Sequence, residues 1–569
     1  MSLGRSPDHE DAFRSSAVFC GARISPSSIH ALLHRDGHRL FPDEAFADLF
    51  QDIGRASVPP RIVAVVMVLQ RIEGLSDREA VDRFTFDLRW KYAAGGLDYD
   101  HPGFVHTVLV DMRARLRRSE RPNRIFETAL DVARSAGLVG RKRVLDSTPL
   151  YDAVATQDTV TLVRSAIRAL LRIVEASLAA ELRGVCKRDD DYMAPGKPAC
   201  DWDDEPAREA LIDALARDAN AILALLDGRA LSPEAKEAAQ LLATVVGQDL
   251  EQTSDGTFRI ARRVAPNRVI STVDPETRHG HKTAARGFDG YKGHIAVDPD
   301  SEIITATDVT PGNVADGAVA EALLSDVLSP SSSEVTGSNA ADGNAAEAPQ
   351  SGAPSSSEKQ AAQSGAPSPL EKQADEAHEK RAAPIEIYGD ASYGTADIVE
   401  KIEAAGAEAN VKVQGPSAPN GHFGKDDFQI DLDANTVLCP AGVLVKIRAR
   451  PDGGGIALFT TSCAGCALRS RCTDSKEGRG IRIHPKEATL QRNRARQRSA
   501  TWKTQYRATR PKVERKLAHL VYRKHGGRRA RMRGCERNRH DFALLGAAHN
   551  LKRLAKLGVH FSGNAWATA

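Results

Sequence analysis

The sequence predicts an α/β core joined to an all-α N-terminal domain, with a helical insertion and a small cysteine-bearing ribbon. Three observations carry that prediction. Residues 385–410 read as strand–helix–strand, residues 40–116 and 158–252 repeat apolar side chains at helical spacing, and residues 259–310 alternate as strands do. At 569 residues the chain exceeds what one core can bury, so several domains follow.

In the strand–helix–strand unit, Ile385 and Ile387 alternate with polar residues up to Tyr388, and Gly389-Asp390 ends the strand. Thr395 suits a helix N-cap, with Ile398, Ile402 and Ala405 on one face. Gly406 stops the helix, and residues 410–414 read as the next strand. The unit puts Asp390 at the carboxyl end of a strand, where ligands and catalytic groups gather in open α/β sheets. A carboxylate there serves equally well as a helix cap.

The composition excludes several classes. With 41% apolar residues but no run of the eighteen or so a membrane span needs, and no signal-peptide core at the N-terminus, an intracellular (cytoplasmic) protein is expected. Eight cysteines, four of them clustered, argue against a disulfide scaffold and for metal. The net charge of +3 hides an asymmetry: residues 482–541 hold 20 Lys or Arg against four acids, leaving 58 bases and 71 acids elsewhere. A basic segment on an acidic body is the footprint of a polyanion partner, or else a solvated basic face.

In chain order, residues 1–39 form an unassigned tail and residues 40–135 a helical domain. Ile62, Val65, Val66 and Leu69 belong to a helix apolar nearly all round, which Gly74 breaks. Ser76 and Glu79 form a capping box for a helix expected to run through Phe84, Leu88 and Tyr92, with Arg83, Arg89, Trp90 and Lys91 beside them. Two helices so joined make either a DNA-reading helix-turn-helix or a plain bundle. Residues 136–328 begin the α/β core. Val144 and Leu145 read as the end of a strand delivering Asp146, and residues 158–252 as the helical insertion, where Cys186 and Cys200 are expected as buried thiols. Residues 269–273 read as a strand, and 291–297 with 303–308 as a hairpin around Asp298-Pro299-Asp300. Between them His279, His281 and Lys282 are phosphate contacts or an ordinary polar loop.

Residues 329–383 contain one Val, one Leu and no Ile, Phe, Tyr or Trp, a composition that predicts a disordered insert. Residues 384–415 resume the core. In the ribbon of residues 416–480, Cys439, Cys463, Cys466 and Cys472 match either structural tetrahedral zinc or reduced thiols. Residues 481–557 are basic helices, and 558–569 a tail. Pro511 suits a first helical position, Val513, Leu517, Leu520 and Val521 an apolar face, and Glu514 its edge. Glu514 there is a surface ion-pair partner or a metal ligand.

Two strand-end aspartates and a helical glutamate near a basic surface suit a pair of Mg²⁺ or Mn²⁺ ions, which roughly 4 Å apart clamp a phosphoryl transfer. At this point the chain resembles the DDE transposases of bacterial insertion sequences. The resemblance rests on SVPPRIVAVVMVLQ with GLSDREAVDRFTFDLRWKY, VLDST at Asp146, STVDPETRHGHK with GYKGHIAVD, YGDASYG at Asp390, the CP and CAGC ribbon, and the glutamate helix. It implies an RNase H-like core (a mixed sheet flanked by helices), with Asp146, Asp390 and Glu514 as the metal-binding catalytic triad. It further implies two-ion cleavage at inverted-repeat ends of double-stranded DNA, strand transfer to target DNA, and action as a homo-oligomer near the nucleoid. A nuclease without strand transfer and a decayed DNA-binding copy are the alternatives. The family's signature around the glutamate wants an Arg four residues earlier, which is Arg510. Tyr506 is displaced by one position, and Val521 stands where Lys is expected. The expected DNA contacts are Arg492, Arg494, Arg496, Arg498, Arg510, Lys512, Arg515, Lys516, Arg523, Lys524, Arg528 and Arg529. The N-terminal domain, through the helix after Ser76, is expected to recognise the element ends.

Overall fold

A computed structural model describes residues 1–3, 14–152, 154–194, 196–283, 286–328, 384–416, 419–522 and 526–568. The expected disordered insert, residues 329–383, lies outside them. The chain forms two units: Met1–Gly140 with Val144–Val319 and Ala508–Ala569, and Arg141–Arg143 with Ala320–Arg507.

The first unit begins with helices where a tail was expected. Ile29–Leu40 is capped by Ser28 and buries Leu32, Leu33 and Leu40. Helix Pro60–Glu73 is buried along almost its whole length and ends at Gly74, whose φ of +70° is the left-handed geometry a glycine tolerates. The capping box forms as expected, Ser76 Oγ accepting from Glu79 N and Glu79 reaching back to Ser76 N. The helix it starts is shorter than expected. Asp77–Phe86 stops, and Asp87 caps a separate helix, Leu88–Ala93, by accepting from Arg89 N. The break lets Trp90 bury completely, its indole N–H donating to Glu73 at 3.0 Å.

Strand β1 (Lys142–Tyr151) pairs with β3 (Arg286–Val297), which also carries β2 (Arg278–Thr283) and β4 (Ile304–Pro311), all antiparallel. Asp146 sits opposite Ile295 in mid-strand, not at a strand end, because the pairing continues to Tyr151. The hairpin around Asp298 forms as read. Residues 269–273 do not make a strand. Their backbone is instead held by side-chain amides: Gln248 pairs with both backbone groups of Val269, and Gln157 accepts from Thr272 N. The insertion forms four helices, Thr159–Ile173, Ala176–Gly184, Glu205–Leu226 and Pro233–Asp249, around a core of their own. Cys186 and Cys200 are half-buried against it. Helix Cys535–Lys556 closes the unit over the sheet. A side chain at Gly293 would meet the Phe542 ring at 2.7 Å, so only glycine lets helix and sheet approach there.

In the second unit, β5 (Glu386–Gly389) and β6 (Glu408–Val411) run parallel, joined by helix Ala396–Ala404 with Thr395 as its cap. The unit matches the sequence pattern, except that its second strand starts two residues earlier than expected and ends at Val411, Val399 is buried and Ala405 is exposed. Together the antiparallel and parallel strands and the helices make an α/β core.

Asn550 on the closing helix grips β4, accepting from Ile304 N at 2.9 Å and donating to Ile304 O at 2.8 Å in a fully buried site. Asn550→Ala orphans both backbone groups and should cost about 3 kcal/mol in urea unfolding. An unchanged midpoint would show the grip to be dispensable.

Candidate active site

Asp146 projects from β1 almost fully buried. Its neighbour Ser147 N donates to its Oδ1 at 2.9 Å. The guanidinium of Arg510 engages both carboxylate oxygens, Nη2 with Oδ1 at 2.9 Å and Nη1 with Oδ2 at 3.1 Å, a two-pronged charge-assisted contact. Arg510 is delivered by local structure. It immediately precedes helix Pro511–Leu520, where Pro511 takes the first turn and Val513, Leu517 and Leu520 anchor the buried face. One turn on, Glu514 places Oε1 3.4 Å from the same Arg510 Nη1, with its side chain 64% exposed. One cation therefore bridges Asp146 and Glu514.

The other face of β1 carries a second polar group. Ser147 Oγ donates to Asp316 at 2.7 Å, Lys292 Nζ reaches the same carboxylate at 2.8 Å, and His294 Nε2 lies 2.9 Å from Thr310 Oγ1. Burial pushes the His294 imidazole down to about 4, so it is neutral at pH 7. No local sequence pattern singles out this network; its trace there is Lys292 and His294, two polar residues alternating along an apolar strand.

Asp390 lies in the second unit, directly after β5. Its Oδ1 accepts from Ser392 N at 2.9 Å, and its carbonyl accepts from Tyr393 N, a tight turn that fixes the carboxylate. Tyr506, stacked on Trp502 with ring centroids 4.6 Å apart, donates its hydroxyl to Gly389 O at 3.1 Å and so braces the end of β5.

Residues 255–335 and residues 438–555 match models described as transposase DDE domain, and residues 29–115 match a transposase domain, DUF772. This chain is a DDE transposase. The matched stretches include Arg510 and Glu514, while Asp146 and Asp390 fall outside them. No curated protein and no solved structure matches the transposase. None of its helices, among the described residues, is long and apolar enough to cross a membrane.

Transposases of this family act on DNA and generally use Mg²⁺ or Mn²⁺. Against that requirement the donor chemistry fits: Asp146 and Glu514 offer hard carboxylate oxygens, and Arg510 is a stand-in cation between them. Among the described residues, however, no three His, Cys, Asp or Glu gather into a metal-holding group. The same holds for the ribbon, where four-thiolate zinc was one expectation. Cys463 and Cys472 are buried with Phe428, Val437 and Phe459, while Cys439 and Cys466 are half-buried. Two thiols accept backbone bonds, Cys463 from Arg479 N at 3.5 Å and Cys439 from Val443 N at 3.4 Å. Burial raises the Cys472 thiol, which favours its protonated form. These cysteines help to pack a small apolar core.

Most of the expected DNA contacts have partners inside the transposase. On helix Glu487–Arg498, Arg492 pairs with Glu403 at 2.5 Å, Arg494 with Glu487 at 2.5 Å, Arg496 with Glu408, and Arg498 with Asp426 at 2.8 Å. Glu487 is itself buried between Lys425 and Arg494. In the first unit Lys512 pairs with Asp300 and Arg515 with Glu302. Arg528 and Arg529 are exposed, and Arg523 and Lys524 lie outside the described residues.

Lys516 is only 4% exposed, so its ammonium is off the surface, and burial lowers it to about 8 from 10.5. Between those values the unfolded chain holds the proton more firmly than the folded one, so stability rises with pH across that window. Lys516→Met should flatten the rise and stabilise the protein at pH 7 by about 3 kcal/mol on the order of the shift. Parallel pH profiles in the two proteins would refute the burial effect.

Proposed function

We propose that Asp146, Asp390 and Glu514 are the carboxylates with which this transposase cleaves the phosphodiester at an element end and joins the freed 3′-OH to target DNA. The observation that carries the reading is the Arg510 bridge: Asp146 and Glu514, 368 positions apart in the numbering, converge on one cation. Asp390 enters through its sequence context, a carboxylate fixed by a turn at the end of a parallel strand. The mixed strands with flanking helices support an RNase H-like core.

A divalent ion bound by these carboxylates would neutralise charge on the scissile phosphate and lower the pKa of attacking water. The chain's own groups do the rest. Burial of Asp146 keeps competing water from its oxygens, and Ser147 N holds the carboxylate's orientation. Tyr506 fixes the strand end from which Asp390 projects. Asp146 and Glu514 would hold the ion where Arg510 now sits, and a DNA phosphate is the natural partner for a guanidinium freed from them. We place the transposase on double-stranded inverted-repeat ends as a homo-oligomer, as the family implies.

Asp146→Asn keeps the size of the side chain and its capacity to accept from Ser147 N. With Mn²⁺ and a plasmid carrying the element ends, cleavage should fall by at least 10³-fold, the scale on which electrostatic catalysis by single groups operates. Binding of the same ends should stay within a few-fold. Glu514→Gln, on an exposed side chain, should behave alike. Cleavage by either variant at the wild-type rate would remove that residue from the triad.

A further inference from the structure

If the basic helix Glu487–Arg498 is neutralised internally, the DNA backbone needs another cationic surface. The first unit supplies one. A shallow cleft lies where helix Thr107–Arg118, helix Arg124–Ser135 and the closing helix Cys535–Lys556 meet. Its floor is apolar, formed by Met67, Leu116, Phe126 and Leu544. Its polar lining holds three guanidinium groups, Arg113, Arg117 and Arg537, together with Asn123, one acid, Asp541, and His540, whose imidazole is pushed towards its neutral form by burial and by Arg117.

The charges there do not cancel. Asp541 pairs with Arg71 at 3.2 Å, and Arg113 pairs with Asp77 at 2.5 Å. Arg117 and Arg537 have no hydrogen-bond or ion-pair partner among the described residues. Burial and then Arg537, with Arg113 and Arg118 adding to it, depress the Arg117 guanidinium, and Glu536 offsets this only in part. Beneath the cleft, Arg71 is 2% exposed, and its Nε and Nη1 are buried with no hydrogen-bond partner among the described residues. Like charges crowded at a cleft edge are costly until an anion sits among them. On the helices first expected to read DNA, the cations singled out from the sequence are engaged within the protein. Arg89 is bonded to Asp87, Arg83 lies within ion-pair range of Glu73 and Asp87, and the Lys91 ammonium is buried against the carbonyls of Tyr99 and His101.

We propose that Arg117 and Arg537, with Arg113 and His540 beside them, form a docking site for backbone phosphates of duplex DNA, separate from the Asp146 centre. The site rests on the reading of this chain as a DNA transposase. It makes Thr107–Arg118 and the first turns of the closing helix the DNA-holding elements.

The test measures affinity of the full chain for duplex DNA carrying the element end across a range of salt. Each phosphate contact contributes about −0.9 to the slope of log K against log salt. Arg117→Ala with Arg537→Ala should lower the magnitude of that slope by about two and weaken binding at least tenfold. Arg117→Lys with Arg537→Lys should restore most of the slope, since a point charge suffices for a phosphate. Arg492→Ala with Arg498→Ala, on the internally paired helix, should leave the slope unchanged. If the double alanine variant melts early, Arg537→Ala alone decides, because that side chain is exposed and its loss should still remove about one from the slope. An unchanged slope in Arg537→Ala, or a slope lost only through Arg492 and Arg498, overturns the site. If inorganic phosphate saturates the cleft while DNA affinity ignores Arg117 and Arg537, the cleft is a free-anion pocket and the proposal also fails. Cleavage by Asp146→Asn is a separate readout, so the docking site can fall while the catalytic reading stands.

Discussion

The contact between Asp146 and Arg510 ties together parts of the chain that sequence keeps far apart. Two charges, both nearly buried, are held by a two-pronged bond, so neither can lose its partner without leaving an uncompensated charge inside the protein. Such a loss typically costs about 3–5 kcal/mol, although a pair of this kind contributes little over a well-packed apolar alternative. The pair is therefore better understood as a constraint than as a source of stability. It fixes helix Pro511–Leu520 against the middle of β1 and brings Glu514 to the same cation.

The same logic governs the basic half of the chain. A segment with 20 Lys or Arg and four acids looks like a polyanion-binding surface when read linearly. Folded, much of its charge meets the acidic body: Glu403, Glu408, Asp426 and Glu487 in one unit, Asp300 and Glu302 in the other. Exposed pairs of this type add little stability individually. Their effect is to withdraw those guanidinium groups from solvent-facing duty, whereas Arg117 and Arg537 keep no such partner among the described residues. Charge asymmetry along a sequence thus locates the bases but not the surface on which they remain available.

Much of the architecture was legible where local chemistry decides. The capping box at Ser76, the Gly74 stop, the Thr395 cap and the parallel unit around Asp390 all depend on residues within one turn or strand, and all form as their patterns imply. Legibility failed where distant partners override local signals. Asp146 is in mid-strand because β3 continues to pair beyond it, and residues 269–273 lose their strand because Gln157 and Gln248 satisfy their backbone from afar. Asp87 breaks a helix that apolar spacing alone would continue, since Trp90 gains a buried partner in Glu73. For the candidate site, Asp146, Arg510 and Glu514 could be picked out as individual residues. That a guanidinium occupies the carboxylates, and that Ser147, Lys292, His294 and Asp316 form a polar layer behind them, depends on registers between strands that no local pattern encodes.

Bound manganese gives the most direct test that Asp146 and Glu514 share one cation locus. Mn²⁺ would be titrated into the transposase together with duplex DNA carrying an element end, and bound ion followed by electron paramagnetic resonance. A shared locus requires that Asp146→Asn and Glu514→Gln each lose DNA-dependent bound manganese, while the Lys516→Met protein, altered on the same helix, retains it. Wild-type manganese binding in both carboxylate variants would contradict the shared locus.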